Sequence, residues 1–273
     1  MSNPEIVNSI ETGGYKTNYH DLGEGEVILF IHGSGPGVSA YANWRLSMPV
    51  LAENFRVIAP DMAGFGYTDR VEGTTYGMDV WTKQAIDLMD ALEIEKFSIV
   101  GNSFGGALAL ALSIKHPDRV NKVVLMGAMG VDFELTAGLD QAWGYTPSLE
   151  NMRSLLDTFA YSRVLVTDEL AKMRYEASIR PGFQESFGSM FPAPRQSSVS
   201  AMASDEKDIA NIDKEVLIIH GRDDKVIPFD NSIRLHKLIT KSQLHAFGEC
   251  GHWSQIEHSE RFNKLLIDFF SEA

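Results

Sequence analysis

A Gly-x-Ser-x-Gly pentapeptide stands between a short apolar run and a long run rich in Ala and Leu. The pentapeptide covers residues 101–105, the first run covers 97–100 and the second follows the pentapeptide directly. A turn from a strand straight into a helix is too tight for flanking side chains, so the two glycines predict such a turn with Ser103 at its tip. The first N–H groups of the helix would be free to bind an oxyanion. The pattern predicts a nucleophilic serine, and the alternative is a glycine-rich turn with an incidental serine.

Apolar segments alternate with helical patterns along most of the chain. Five segments are typical of buried parallel strands, namely 27–31, 55–59, 97–100, 120–126 and 216–220. Helical patterns cover 78–92, the run after Ser103, and 259–270. Residues 5–22 favour an antiparallel hairpin that turns at the glycines 13–14. The alternation predicts an α/β fold with a mostly parallel sheet flanked by helices.

The alternation stops after Gly130. Residues 152–161 and 168–178 are amphipathic, and two prolines near residue 193 predict an irregular turn. A helical block between two sheet strands is expected to lie as a lid over the carboxyl ends of the strands. We predict a core formed by residues 1–131 and 209–273, with an inserted helical lid at 132–208.

Composition limits the classes of partner. The formal net charge of −13 argues against binding to nucleic acid or to an anionic membrane. The single cysteine, Cys250, excludes an intrachain disulfide and favours a reducing compartment. No signal-peptide pattern and no apolar run of about 20 residues is present, so we expect a cytoplasmic protein. No phosphate-loop motif or metal-ligand spacing occurs, which predicts that the protein uses neither metal nor cofactor.

A nucleophilic serine needs a histidine base and an acid that orients it. Asp224 follows the strand at 216–220 and is favoured as the acid over its neighbour Asp223. His252 follows the last short strand pattern, at 243–247, and is the predicted base. The alternative candidates for the base are His245 and His258. They lie in a predicted strand and at the start of the terminal helix, where a structural role is expected.

The glycine-rich segment 32–37 follows the first predicted parallel strand. Its glycines let the backbone approach a ligand closely. We therefore expect the oxyanion to be bound by the N–H of Ser34, or that of Gly33, together with the N–H of Phe104.

Several motifs together resemble the meta-cleavage product hydrolases, which are α/β-hydrolases that cleave a carbon–carbon bond in ring-opened catechols. The likeness covers essentially the whole chain and is carried by residues 32–44, 60–67, 101–106, 143–145, 174–183 and 251–253. The members most similar in these motifs are the cumene-type and 2-hydroxymuconic-semialdehyde-type hydrolases. The resemblance implies an α/β-hydrolase fold with a helical lid.

The resemblance also implies roles for individual residues. It assigns Ser103, Asp224 and His252 to a catalytic triad. It implies that Arg180, Asn43 and Asn102 bind the carboxylate and 2-oxygen of a small anionic dienoate, since a guanidinium suits a carboxylate. Trp253 is expected to pack against the polyene chain, and Trp143 to belong to the substrate site. It further implies a homodimer or higher homo-oligomer.

The implied reaction is hydrolysis of a 2-hydroxy-6-oxo-hexa-2,4-dienoate to 2-hydroxypenta-2,4-dienoate and a small carboxylic acid. The substituent at C6 should face Ala128, Met129, Val199 and Ile227. The size of Met129 and Ile227 favours hydrogen, methyl or a short alkyl group over phenyl, and the alternative is that Met129 is simply part of the core. Attack by Ser103 to form an acyl-enzyme and direct attack by water both remain open. The alternative functions are a carboxylesterase or lactonase on the same triad, and a ligand receptor with little turnover.

Overall fold

The computed structural model describes residues 3–272, which form one eight-stranded sheet with helices on both faces. The strands lie in the order β1-β2-β4-β3-β5-β6-β7-β8. Strands β3 to β8 are mutually parallel, whereas β2 is antiparallel to both β1 and β4. The strands are β1 (Asn8–Thr12), β2 (Tyr15–Leu22), β3 (Val27–Ile31), β4 (Arg56–Pro60), β5 (Phe97–Asn102), β6 (Val120–Met126), β7 (Glu215–Gly221) and β8 (Ser242–Phe247).

The central strands are apolar on both faces because helices cover both sides of the sheet. In β3, Leu29 and Ile31 belong to one buried cluster, while Ile28 and Phe30 belong to the cluster on the opposite face. This alternation follows from the period of two in a strand. It explains why these strands appear in the sequence as continuous apolar runs.

Helices follow most of the strands. They are α1 (Ala40–Trp44), α2 (Met48–Leu51), α3 (Met78–Ala91), α4 (Phe104–Lys115), α5 (Ala137–Trp143), α6 (Leu149–Phe159), α7 (Asp168–Ser178), α8 (Phe183–Met190), α9 (Gln196–Ala201), α10 (Glu206–Ala210), α11 (Phe229–Leu238), α12 (Ser254–Glu257) and α13 (Ser259–Ser271). None of the helices within residues 3–272 is long and apolar enough to cross a membrane.

Helices α5 to α9 lie between β6 and β7, and we call them the lid. Three of them begin at a hydroxyl side chain that accepts a backbone hydrogen bond, at Thr136 for α5, Ser148 for α6 and Thr167 for α7. Such N-caps satisfy amide groups that have no partner inside the helix. These N-cap residues therefore divide the lid into short helices.

The predicted fold class is confirmed, and each predicted strand matches an observed one within a residue or two. The helix predicted over 152–161 begins earlier, at Leu149, because Ser148 caps it. It ends at Phe159, since Ala160 has an extended backbone. The division at residues 132 and 208 stays a prediction.

Candidate active site

The turn between β5 and α4 has the tight geometry that its glycines require. Ser103 has φ +52° and ψ −111°, which is unusual for a residue with a side chain. A Cβ on Gly101 would lie 2.2 Å from the Gly105 carbonyl oxygen, and a Cβ on Gly105 would lie 2.3 Å from that of Ile31. Only glycine fits at either position, and the turn presents Ser103 at the carboxyl edge of the sheet.

Asp224 and His252 lie on the loops that follow β7 and β8. His252 Nδ1 and Asp224 Oδ2 are 2.6 Å apart. The other carboxylate oxygen, Oδ1, accepts the N–H groups of Val226 and Ile227 at 2.7 and 3.0 Å. Burial raises the pKa of Asp224, but the two histidines beside it, His252 and His220, more than offset this and hold the pKa below its usual value. Asp224 is therefore an ionised acceptor for His252.

The rival residues lie elsewhere. Asp223 is partly exposed and faces the guanidinium of Arg222 at 3.4 Å. His245 and His258 both pack against the ring of Phe247, with ring centroids 4.6 Å apart in each case. The structure brings neither histidine to Asp224.

A cavity of about 280 Å³ lies between the carboxyl edge of the sheet and the lid. Ser103 and His252 line it, and so does Trp253. The apolar residues of its wall come mostly from the lid; they are Leu139, Ala142, Met152, Leu155, Leu156, Phe159, Leu165, Leu170 and Val226. The cavity encloses Ser103 and His252 under an apolar roof, which lowers the local dielectric around any charge that forms there.

Two backbone N–H groups beside Ser103 are available to an oxyanion. The N–H of Gly33 donates to Asn43 Oδ1 at 3.2 Å and is occupied. Across residues 3–272, no protein acceptor binds the N–H of Ser34 or that of Phe104, the first residue of α4. Of the two predicted alternatives on this loop, Ser34 is the one with a free donor.

The buried ring of His32 fixes the loop that carries Ser34. Met62 N–H donates to His32 Nε2 at 3.0 Å, so Nδ1 carries the proton and donates to the Gly33 carbonyl at 2.8 Å. Burial lowers the pKa of His32 to about 4, so the ring is neutral at physiological pH.

The polar part of the cavity contains two arginines and two asparagines. Arg174, on α7, is half-buried and donates to the Pro36 carbonyl at 3.3 Å. Desolvation lowers the pKa of Arg174 to about 10, which leaves it cationic at neutral pH. Arg45 lines the same region, and in the described chain neither arginine has a carboxylate within ion-pair distance. Asn43 Nδ2 is buried without a partner, and Asn102 Nδ2 donates to the Met126 carbonyl at 3.3 Å.

Arg180, the residue expected to bind the carboxylate, does not line this cavity. Its guanidinium lies 3.5 Å from Glu5 Oε2 and stacks on the rings of Tyr67 and Phe183. Arg180 comes after the end of α7, where the chain has left the helix that faces the cavity. Arg174, within α7, lines the cavity.

Four other predicted substrate residues are buried but are not part of the cavity lining. The indole N–H of Trp143 donates to Ser34 Oγ at 3.0 Å, and its ring stacks on Phe191. Met129, Val199 and Ile227 are fully buried. Their contact with the C6 substituent stays a prediction.

Cys250 is buried and is unsuited to act as a nucleophile. Burial raises the pKa of its thiol to about 12, which keeps the thiol protonated. Among residues 3–272, no group of three or more His, Cys, Asp or Glu side chains is arranged to hold a metal ion.

Sequence reasoning missed Arg174, Arg45 and His220. The signal for Arg174 was its helical spacing. Leu170 lies four residues earlier, on the same face of α7, and lines the same cavity. His220 is fully buried at the end of β7, where it appeared in the sequence as a strand residue.

Comparisons with known proteins agree with this geometry. Residues 26–259 match the family described as alpha/beta hydrolase fold. The chain is 57% identical to a 2-hydroxy-6-oxo-2,4-heptadienoate hydrolase of Pseudomonas putida, over 98% of both chains. It is also 57% identical to a 2-hydroxymuconate semialdehyde hydrolase of Pseudomonas sp. strain CF600, over 100% of this chain and 96% of that one. The chain belongs to the meta-cleavage product hydrolases of the α/β-hydrolase family.

A solved structure supports the membership. The meta-cleavage product hydrolase CumD of Pseudomonas fluorescens IP01, solved as an S103A mutant complexed with acetates, is 60% identical over 98% of both chains. It superposes with a TM-score of 0.97. This meta-cleavage product hydrolase therefore shares both its fold and most of its sequence with an enzyme of the same family.

Proposed function

We propose that this protein hydrolyses the C5–C6 bond of a 2-hydroxy-6-oxo-hexa-2,4-dienoate with a small C6 substituent. The products are 2-hydroxypenta-2,4-dienoate and a small carboxylic acid. The observation that carries the proposal is Arg174, a cation without a protein carboxylate partner, in one cavity with Ser103 and His252. A neutral ester has no charged group for such an arginine to bind, whereas a dienoate offers it a carboxylate. The named relatives act on substrates of this class.

The cavity suggests an orientation for the substrate. Its carboxylate is held by Arg174, with the unpartnered Asn43 Nδ2 as a further donor. Asn102 lies beside the 2-oxygen, and Trp253 packs along the polyene chain. The C6 carbonyl then reaches Ser103, and the substituent points to the apolar wall under the lid.

The reaction begins with ketonisation of the substrate. The proton of the 2-hydroxyl is lost and C5 gains a proton, which gives a ketone at C2. The ketone makes C5 a viable leaving group, because the electron pair released at C5 is taken up by the C2 carbonyl of the substrate itself. The electron sink is therefore part of the substrate.

Attack at C6 follows. His252 takes the proton of Ser103 as Oγ bonds to C6, and Asp224 stabilises the imidazolium that forms. The oxyanion on C6 is bound by the N–H groups of Ser34 and Phe104. The C5–C6 bond breaks, its electron pair passes to the C2 oxygen, and the imidazolium of His252 gives its proton to that oxygen as the dienol product leaves. Water then gives a proton to His252 and attacks the acyl-enzyme, and His252 passes that proton to Ser103 Oγ as the carboxylic acid is released. The intact turn at Ser103 favours this route over direct attack by water.

A spectrophotometric screen tests the proposal, because the yellow dienolate loses its colour on cleavage. The substrates are the aldehyde, methyl, isopropyl and phenyl ketones, with a neutral aryl ester and a lactone as comparators. We expect kcat/KM to be highest for the aldehyde, methyl or isopropyl compound. Ester or lactone turnover without dienoate turnover would establish the esterase alternative. Dienoate binding without turnover would establish a receptor.

We also propose, from the same family membership, a homodimer or higher homo-oligomer in the cytoplasm. Light scattering on the purified protein measures the oligomeric state, and a monomer at micromolar concentration would contradict it.

A further inference from the structure

A second histidine binds the acid of the triad. His220, near the end of β7, is fully buried. Its Nε2 lies 3.1 Å from Asp224 Oδ2, the oxygen that also binds His252 Nδ1 at 2.6 Å. The same Nε2 lies 3.1 Å from the carbonyl oxygen of Ile227, and Nδ1 lies 2.6 Å from Ser232 Oγ on α11.

These contacts place a proton on Nε2 of His220. A carbonyl oxygen only accepts hydrogen bonds, so Nε2 must carry a proton to bind Ile227. That proton also points towards Asp224 Oδ2. In a ring with a single proton, Nδ1 accepts the hydroxyl proton of Ser232, and both ring nitrogens are satisfied.

His220 is one of four hydrogen-bond donors to the carboxylate of Asp224. Val226 and Ile227 bind Oδ1 through their N–H groups, while His220 and His252 share Oδ2. The fixed donors leave Oδ2 directed at His252 in a single orientation. Without His220, Oδ2 of Asp224 would be held only by its hydrogen bond to His252.

We propose that His220 is a positioning residue, which orients Asp224 towards His252 and shares the charge of Oδ2 with it. The inference rests on the proposed function, in which His252 takes the proton of Ser103. By sharing Oδ2, His220 withdraws part of the negative charge that would otherwise stabilise the imidazolium of His252. Removal of His220 would leave all of that charge to the hydrogen bond between Oδ2 and His252.

The other ionisable groups near this cluster come from the loops after β7 and β8 and from α12. They are Asp223, which faces Arg222, the buried thiol of Cys250, and Glu257, which accepts the N–H of Gly251 at 2.8 Å. On α11, the contacts to His220 are the hydroxyl of Ser232 and the ring of Phe229, whose centroid lies 5.5 Å away. Neither of these two contacts carries a charge.

The tests compare His220→Leu, which removes the donor, with His220→Gln, whose amide N–H can still reach Asp224. In His220→Leu we expect the acid limb of the kcat/KM profile to move to higher pH by about half a unit or more. We expect the plateau kcat to fall about tenfold to a hundredfold, the scale of losing one hydrogen bond to a charged group. His220→Gln should restore the limb and most of the rate. The matched control His236→Leu removes an exposed histidine that binds Ser242 Oγ, and should change neither.

A purely structural role would lower the rate in both His220 variants without moving the acid limb, and that result would overturn the proposal. A second measurement needs neither a variant nor a substrate. In ¹⁵N-histidine NMR of the free wild-type protein, we expect His220 in the neutral Nε2–H form, and an Nδ1–H form would overturn the inference. If no dienoate is turned over, the NMR titration of His252 in His220→Leu replaces the kinetic profile, which separates this inference from the proposed function.

Discussion

The indole N–H of Trp143 donates to Ser34 Oγ at 3.0 Å, and this bond ties lid helix α5 to the loop that supplies an oxyanion donor. The ring of Trp143 also stacks on Phe191, with centroids 4.3 Å apart. The lid and the catalytic loop therefore hold each other in place.

Replacing Trp143 with Phe should keep the stack and lose the hydrogen bond. We expect kcat to fall about fivefold, the equivalent of about 1 kcal/mol, because Ser34 loses an anchor. Steady-state kinetics on the methyl ketone measure this. Trp44→Phe is the matched control, since the indole N–H of Trp44 is buried without a partner. Equal rate losses in the two variants would contradict a specific role for the Trp143 bond.

Ser103→Ala should abolish turnover and leave both the fold and substrate binding intact. The nucleophile is lost, but Arg174 and the asparagines that bind the substrate remain. Circular dichroism reports the fold, and the absorbance change of a bound dienoate reports binding. Turnover within about tenfold of wild type would remove Ser103 from the mechanism.

The two lid arginines give a paired test of which cation binds the carboxylate. Arg174→Gln should lower kcat/KM for a dienoate about tenfold to a hundredfold, since a hydrogen bond to a charged group is worth about 1.5–3 kcal/mol. Arg180→Gln should change kcat/KM little, because its guanidinium faces Glu5 and Tyr67 outside the cavity. A larger loss of kcat/KM in Arg180→Gln than in Arg174→Gln would assign the carboxylate-binding role to Arg180.

Much of the fold was predictable because the parallel strands are buried on both faces. The bounds of β3 and β6 match their apolar runs residue for residue. The positions of the proposed catalytic residues Ser103, Asp224 and His252 were predictable for a related reason. Each follows a strand, and parallel strands end at one edge of the sheet.

The cation of the cavity was harder to predict. Arg174 and Arg180 lie in one motif, and nothing local in the sequence shows where α7 ends or which of its faces meets the core. His220 was missed because its partners, Asp224, Ile227 and Ser232, come together only when β7 and α11 pack.

The neutral ring of His32 should make the protein less stable in acid. Its pKa is about 4 in the folded state, against an ordinary value of 6.5. A group with a lowered pKa contributes its full stability above the unfolded value, so this contribution is lost as pH falls from 6.5 through 4. The loss amounts to about 3 kcal/mol by pH 4.

Urea unfolding at several pH values measures this loss. We expect His32→Gln to lack this part of the pH dependence, while the exposed-site control His236→Gln keeps it. Parallel stability profiles for wild type and His32→Gln would show that His32 does not titrate in this range.

The last prediction concerns the size of the C6 substituent. Met129 is fully buried, and its N–H donates to the Ser103 carbonyl at 3.0 Å, which places it next to the nucleophile. Met129→Ala should enlarge the space beside Ser103 and raise activity on the isopropyl and phenyl ketones relative to the methyl ketone. Each added methylene is worth at most about 1–3 kcal/mol of discrimination. Met89→Ala, a similar truncation of a fully buried side chain on α3, controls for the stability cost of about 2–5 kcal/mol and should leave the substrate ratios unchanged. Wild-type preference for the phenyl ketone, or unchanged ratios in Met129→Ala, would place the substituent elsewhere.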